Sequence, residues 1–257
     1  MQQYFLDASY TDLTVGQLVF LNGEDSHHLL TVLRSRLGKE VYLVAGDQKF
    51  LARLQSNQEN RAGLELISIL DKSLTQTELP VEVTIACGLS KNDKLETIVQ
   101  KGTECGMSVF QPLALKRDVV KWEAKKAAGK IERLEKIAKA AAEQSKRLVQ
   151  PEILPLISLE QLVSQSVNFD HKLIAYEEEA KSGQHGQLAE TISQLEPGQG
   201  LLIVFGSEGG LALEEVDYLI THGFRTCSLG PRILRAETAP IYALSIVSYV
   251  TEIQKER

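Results

Sequence analysis

The sequence predicts an α/β chain: a mostly-β N-terminal region followed by a parallel sheet with helices on both faces. Three observations predict it. From Val81 onward, short β-branched apolar runs alternate with helix-length amphipathic segments. Across residues 1–70, brief strand-like runs are separated by turn signals, which suggests a small barrel. Between them, residues 71–80 are polar and end at Pro80, the best domain boundary.

Residues 17–21 are the first strand candidate, and one short helix is expected over 25–36. Residues 40–44 and 50–54 flank a hairpin signal at 45–49, and Leu64, Leu66 and Ile69 mark a further half-buried strand. The run 81–87 opens the second region. Ser90 and Asp93 then stand at capping-box spacing, with Asp in place of the usual Glu or Gln. The helix that follows places Leu95, Ile98, Val99 and Gly102 on one face and stops at Gly106. Residues 109–115 form the next strand. A helix over 130–148 aligns Ile131, Leu134, Ala138, Ala141 and Ser145. Strands are expected at 172–176, 201–205 and 227–229, with an acidic loop at 177–187. The last helix, 237–253, is apolar around most of its circumference (Ile241, Leu244, Ile246, Val247, Tyr249, Val250). That predicts a deep core position or a subunit interface.

Composition excludes several classes. The N-terminus has no basic segment followed by an apolar core, so no secretory signal is expected. No run approaches the ~18 apolar residues that span a bilayer. Cys87, Cys105 and Cys227 form no CxxC pair, which argues against structural zinc and a disulfide framework and fits a reducing cytosol. No cluster of acids and histidines has metal spacing. The net charge of −6 is unevenly spread. Residues 116–147 hold eleven basic and five acidic side chains, a local +6 that leaves −12 for the rest. That stripe reads either as a footprint for a polyanion or as a solvated helix face.

Two glycine-bearing loops carry most of the chemistry. Gly206-Ser207-Glu208-Gly209-Gly210 follows the run 201–205, and Leu229 to Ala239 follows the short run ending at Cys227. Loops at the carboxyl ends of strands in an open α/β sheet are where ligands bind; a tight β–α turn is the plain alternative. No Gly-Lys-Ser/Thr follows, so a P-loop is unsupported, and GxGxxG is absent. Arg232, Arg235 and Glu237 would present guanidiniums to an anionic or planar ligand, or an Arg–Glu pair could clamp the helix start. His27 and His28 point about 100° apart on a helix, which makes them poor joint metal ligands. His28 with Arg34 and Arg36 could line an RNA-facing surface, or cap and pack. His171, His185 and His222 are isolated.

These residues resemble a known family through nearly the full length. His27-His28-Leu29 with Val32-Leu33-Arg34, Lys101 to Gly106, Ala142 to Arg147, Gly206 to Gly210 and Leu229 to Ala239 resemble motifs of the bacterial 16S rRNA uridine-N3 methyltransferases. That family is a branch of the knotted SPOUT superfamily. Ser207 stands where the family usually has Pro, and Lys146 where it usually has Gly.

The resemblance implies a PUA-like β-barrel at 1–72 and an α/β domain with a deep trefoil knot at 73–257. It implies a cytoplasmic homodimer that methylates N3 of a uridine near the decoding site of the small ribosomal subunit, with S-adenosylmethionine as cofactor. Gly206, Glu208, Gly209, Gly210, Leu229, Gly230, Ile233 and Leu234 would hold the donor. Arg235, Glu208 and Glu237 would be catalytic. Arg235 would stabilise charge on the uracil, and a carboxylate would accept the N3 proton or orient Arg235. His28, Arg34, Arg36, Lys116, Arg117, Lys146, Arg147 and Arg232 would contact RNA, with no metal and no membrane partner. A non-catalytic RNA-binding assembly factor and a nucleotide-binding regulator are the alternatives.

Overall fold

The computed structural model describes residues 1–71, 76–176 and 186–254. Most of the loop expected over 177–187, with His185, lies outside the described residues, as do positions 72–75 of the polar boundary segment. The chain divides into two compact units, Met1–Glu78 with Ala142–Val149, and Leu79–Ala141 with Gln150–Arg257.

The first unit is built on β1 (Gln3–Phe5), β2 (Leu18–Phe20), β3 (Glu40–Ala45), β4 (Gln48–Gln58) and β5 (Arg61–Ile69), in the order β1-β3-β4-β5-β2. This is the PUA-like sheet, and β1 and β2 are its edges. β3 and β4 pair as far as Ala45↔Gln48, so their hairpin is tighter than the sequence suggests. Between β4 and β5, Glu59 and Asn60 are both left-handed (φ 51° and 62°), a turn geometry whose twist suits antiparallel strands. Alternation sends Val41, Leu43, Leu64 and Leu66 to a core shared with Tyr4, Leu29 and Phe50.

The helix α1 (Gly23–His27) starts earlier than expected, because the Asn22 side chain accepts the Asp25 N–H at 2.8 Å. It widens over His28–Val32 and ends at Leu33. Arg34 is left-handed (φ 50°), so the expected continuation to Arg36 does not occur.

Residues 142–149 belong to this unit for an electrostatic reason. Arg147 is buried, and its guanidinium meets Glu78 Oε2 at 2.5 and 2.9 Å. Glu78 Oε1 also accepts the Leu148 N–H at 2.8 Å, and Gln3 Nε2 donates to the Arg147 carbonyl at 2.7 Å. Removing Glu78 takes its paired charge away from a buried guanidinium. Glu78→Ala therefore lowers stability by about 3 kcal/mol, seen as a lower urea midpoint; an unchanged midpoint would show that the pair contributes nothing.

The second unit holds a seven-stranded sheet whose pairings are all parallel. Its strands are β6 (Glu82–Gly88), β7 (Val109–Ala114), β8 (Glu152–Ile153), β9 (Ile157–Ser158), β10 (His171–Ala175), β11 (Gly200–Phe205) and β12 (Arg225–Cys227). The order is β12-β10-β11-β6-β7-β8, with β9 also on β7. Both faces are buried. Val83, Ile85, Leu201, Ile203 and Phe205 enter one core, while Ala86, Leu202 and Val204 enter the other.

The helices are α2 (Lys94–Glu104), α3 (Ala124–Ser145), α4 (Leu159–Gln165), α5 (Gly186–Ser193), α6 (Leu213–Thr221) and α7 (Thr238–Ser248). α2 starts directly after Asp93, with no side-chain cap from Ser90. α3 starts ahead of its apolar periodicity, since Lys125, Lys126, Ala127 and Ala128 are good helix formers, and stops where Lys146 turns left-handed (φ 67°). α4, with its Ser158–Gln161 capping box, was not anticipated.

α7 continues as a wider helical turn over Tyr249–Gln254. It is not buried all round: Pro240, Ala243, Leu244 and Val247 face the core, while Tyr242, Tyr249 and Ile253 are exposed.

Candidate active site

Parallel pairing aligns the carboxyl ends of β10, β11 and β6, and the chain leaves each into a loop at the same edge. There a cavity of about 500 Å³ opens, within the range of cofactor sites. Ala175 and Tyr176 close it from β10, Phe205 to Leu211 from β11, and Leu229 to Ala236 from the segment after β12.

Glycine is required at defined points of this wall. A Cβ on Gly206 would lie 2.6 Å from the Gly210 carbonyl carbon, so the loop can fold back on itself only without one. The fold-back is fixed by the Gly210 N–H donating to Ser207 O at 2.9 Å. Gly210 and Gly230 are left-handed (φ 69° and 98°), and a Cβ on either would stand in open space. Both residues line the cavity, so their backbone is bare toward whatever fills it.

The loop after β7 supports the same wall. Buried Glu215 accepts the Lys116 N–H through Oε1 and the Ala212 N–H through Oε2, both at 2.8 Å, and so joins two loops. Ser207 Oγ donates to Arg117 O at 3.4 Å, and a Cβ on Gly209 would press on that same carbonyl at 2.5 Å. Ser207 therefore sits buried as a ligand of the neighbouring backbone. Burial pushes the Asp118 carboxyl up, against the Leu115 N–H it accepts at 2.8 Å.

The structure brings together most of the residues expected to act. Gly206, Glu208, Gly209, Gly210, Leu229, Gly230, Ile233, Leu234, Arg117, Arg232 and Arg235 all line the cavity. Glu237 does not line it, but its carboxylate reaches Lys94 at 3.5 Å. Lys94 itself lines the cavity and was missed from sequence, since a lone lysine after a turn carries no motif. Its ammonium also meets Glu208 Oε1 at 3.1 Å, and that oxygen accepts the Lys91 N–H at 3.0 Å. Partial burial would raise the Glu208 carboxyl, but backbone amides and Lys94 outweigh it and hold the group below the usual range. Glu208 in turn holds the Lys94 ammonium up.

The expected RNA contacts divide. Lys116 is exposed and pairs with Glu214 at 3.0 Å. In the first unit, Arg34 and Arg36 are exposed, while His28 is half-buried with Nδ1 3.0 Å from the Tyr4 hydroxyl. Arg147 is a correction: it is buried on Glu78 and offers no guanidinium to a phosphate. Lys146 is half-buried, and its ammonium donates to Glu143 O at 3.0 Å. Among the described residues no group of side chains could hold a metal ion, and no helix is long and apolar enough to cross a membrane.

Comparison with known proteins agrees with this arrangement. Residues 77–248 match the RNA methyltransferase domain family, and residues 21–66 match the RNA methyltransferase PUA domain family. The chain is 42% identical over 254 residues to the ribosomal RNA small subunit methyltransferase E of Bacillus subtilis, covering 98% of each. It is 31% identical to the protein of that name from Synechocystis, over 97% of this chain and 76% of the relative. A crystal structure of the Neisseria gonorrhoeae ribosomal RNA small subunit methyltransferase E, bound to S-adenosyl methionine, superposes with a TM-score of 0.82 at 28% identity. That superposition covers 97% of this chain and 98% of the other.

Proposed function

This chain belongs to the ribosomal RNA small subunit methyltransferase E family, and we propose that it methylates N3 of a uridine in 16S rRNA. It is an S-adenosylmethionine-dependent RNA methyltransferase that acts on small-subunit rRNA. The observation that carries the finer reading is the cavity itself: a bare backbone cradle with Arg235 and Glu208 on its rim.

The cradle fits the donor. Gly210 and Gly230 leave space that a side chain would fill, and backbone groups of Gly206, Leu229 and Leu234 would hold its adenosine and amino-acid ends. When bound, S-adenosylmethionine supplies a methyl group on a sulfonium whose departure leaves a neutral thioether. The chain's own part is alignment and charge. Orientation of two reactants in one site contributes roughly 7–11 kcal/mol.

As the N3–methyl bond forms, N3 must lose its proton and the uracil oxygens gain electron density. Arg235 stabilises that density. Glu208 lines the cavity and accepts the proton, which N3 releases readily because methylation acidifies it. The target base is extruded from the structured RNA to reach the cavity. Exposed Lys116, Arg34 and Arg36 and cavity-lining Arg117 and Arg232 hold phosphates. The reading includes the trefoil knot that the resemblance to the SPOUT methyltransferases implies. It also includes a homodimer, supported by the exposed Tyr242, Tyr249 and Ile253 of the last helix.

The test is transfer of labelled methyl from the donor to small subunits that lack the modification. Transfer to rRNA is the expected result. Donor binding without transfer, while a family member succeeds in parallel, would favour an RNA-binding assembly factor.

A further inference from the structure

Lys94 is the first residue of α2 and lies outside the five segments that carry the resemblance to the family. Its ammonium lies between two walls of the cavity, 3.1 Å from Glu208 in the loop after β11 and 3.5 Å from Glu237 in the segment before α7. One cation thus joins three chain segments far apart in sequence. The Lys91 N–H grips the same Glu208 oxygen, so the start of α2 holds that loop twice. Glu237 Oε2 is buried, and the Lys94 ammonium at 3.5 Å is its compensating charge.

Resting on the methyltransferase reading, we propose that Lys94 is a positioning residue whose ammonium clasps Glu208 and Glu237 and so fixes the separation of the two donor loops. Without it, the two carboxylates lose the cation they share, and like charges at short range push their loops apart. The clasp also sets the protonation of Glu208, the proposed proton acceptor. Lys94 is the charged side chain that acts on Glu208 directly; Glu237 reaches it through Lys94, while Arg117, Arg232 and Arg235 line the same cavity. The others persist when Lys94 alone is changed.

The experiment compares Lys94→Met and Lys94→Arg in the full chain. In the donor-free Lys94→Met protein, amide exchange in residues 206–210 and 229–236 rises tenfold or more, while the interior of β6 and β11 keeps its protection. Turnover falls 10–100-fold with a smaller change in donor KM. The acidic limb of the pH–rate profile moves to higher pH, because Glu208 loses a cation that holds its carboxyl down. Lys94→Arg restores both loop protection and the acidic limb.

If Lys94→Met leaves loop exchange and the acidic limb as in wild type, the clasp is wrong, whatever happens to turnover. If exchange changes as described but wild type transfers no methyl, the clasp stands and the methyltransferase reading falls. Should Lys94→Met fail to fold, Glu237→Gln cuts one side of the clasp and must loosen 229–236; unchanged exchange there overturns the proposal.

Discussion

Arg235→Ala lowers methyl transfer to small subunits by roughly 10²–10³-fold, the usual cost of removing a group that stabilises developing charge. The side chain is exposed at the cavity rim, so its loss opens no core and creates no buried charge. Donor affinity, measured by calorimetry, stays within about threefold, since under the proposed function backbone groups rather than this guanidinium hold the donor. Lys at this position recovers only part of the rate, because an ammonium lacks the planar fork that spans a carbonyl oxygen and its neighbour. Equal losses in turnover and donor affinity would make Arg235 a binding residue and remove it from the chemistry.

Gly206→Ala abolishes tight donor binding while leaving the sheet intact. Its Cβ would stand 2.6 Å from Gly210 C and 2.8 Å from Gly210 Cα, and a contact with backbone cannot be relieved by a rotamer change. The loop must unfold from its Ser207–Gly210 turn, which displaces Gly210 and Glu208 together. Donor affinity falls by at least tenfold, a shift of about 1.4 kcal/mol or more. Gly129→Ala is the control. It lies within α3 with nothing within 4 Å of an added Cβ, and such a change raises stability by up to about 1 kcal/mol. Wild-type donor affinity in Gly206→Ala would mean that the folded-back turn does not shape the site.

The two loops were legible because each follows a short apolar run and is rich in glycine, and both signals are local. The strands at 82–88, 109–114 and 200–205 were legible for the same reason: buried parallel strands read as continuous apolar segments. What failed was information that depends on distant partners. Lys94 meets Glu208 because β6 and β11 are neighbours in the sheet, and meets Glu237 because the segment after β12 returns to the same cavity; no spacing in the chain encodes either. Arg147 looked like part of a basic stripe, but Glu78, far away in sequence, buries and neutralises it. The short α4 lacked the turns needed to show a helical period, and only its capping box announces it. The last helix illustrates the converse. Its composition is apolar around most of its circumference, yet the chain covers one face and leaves Tyr242, Tyr249 and Ile253 exposed.

Serine at 207 illustrates how a departure from the family pattern is absorbed. Where the family usually has proline, this chain places a hydroxyl that donates to Arg117 O and a side chain that is buried. The bond ties the loop to the segment bearing Arg117 and compensates for the torsional freedom that proline would remove.

The most direct test of the central claim is mass mapping of the methylated nucleotide after reaction of this protein and donor with unmodified small subunits. The account predicts one added methyl group, on N3 of a single uridine in 16S rRNA. A methyl group on a ribose, on a base carbon or on another nucleotide would contradict it, as would the absence of any added mass from subunits that a family member modifies in parallel.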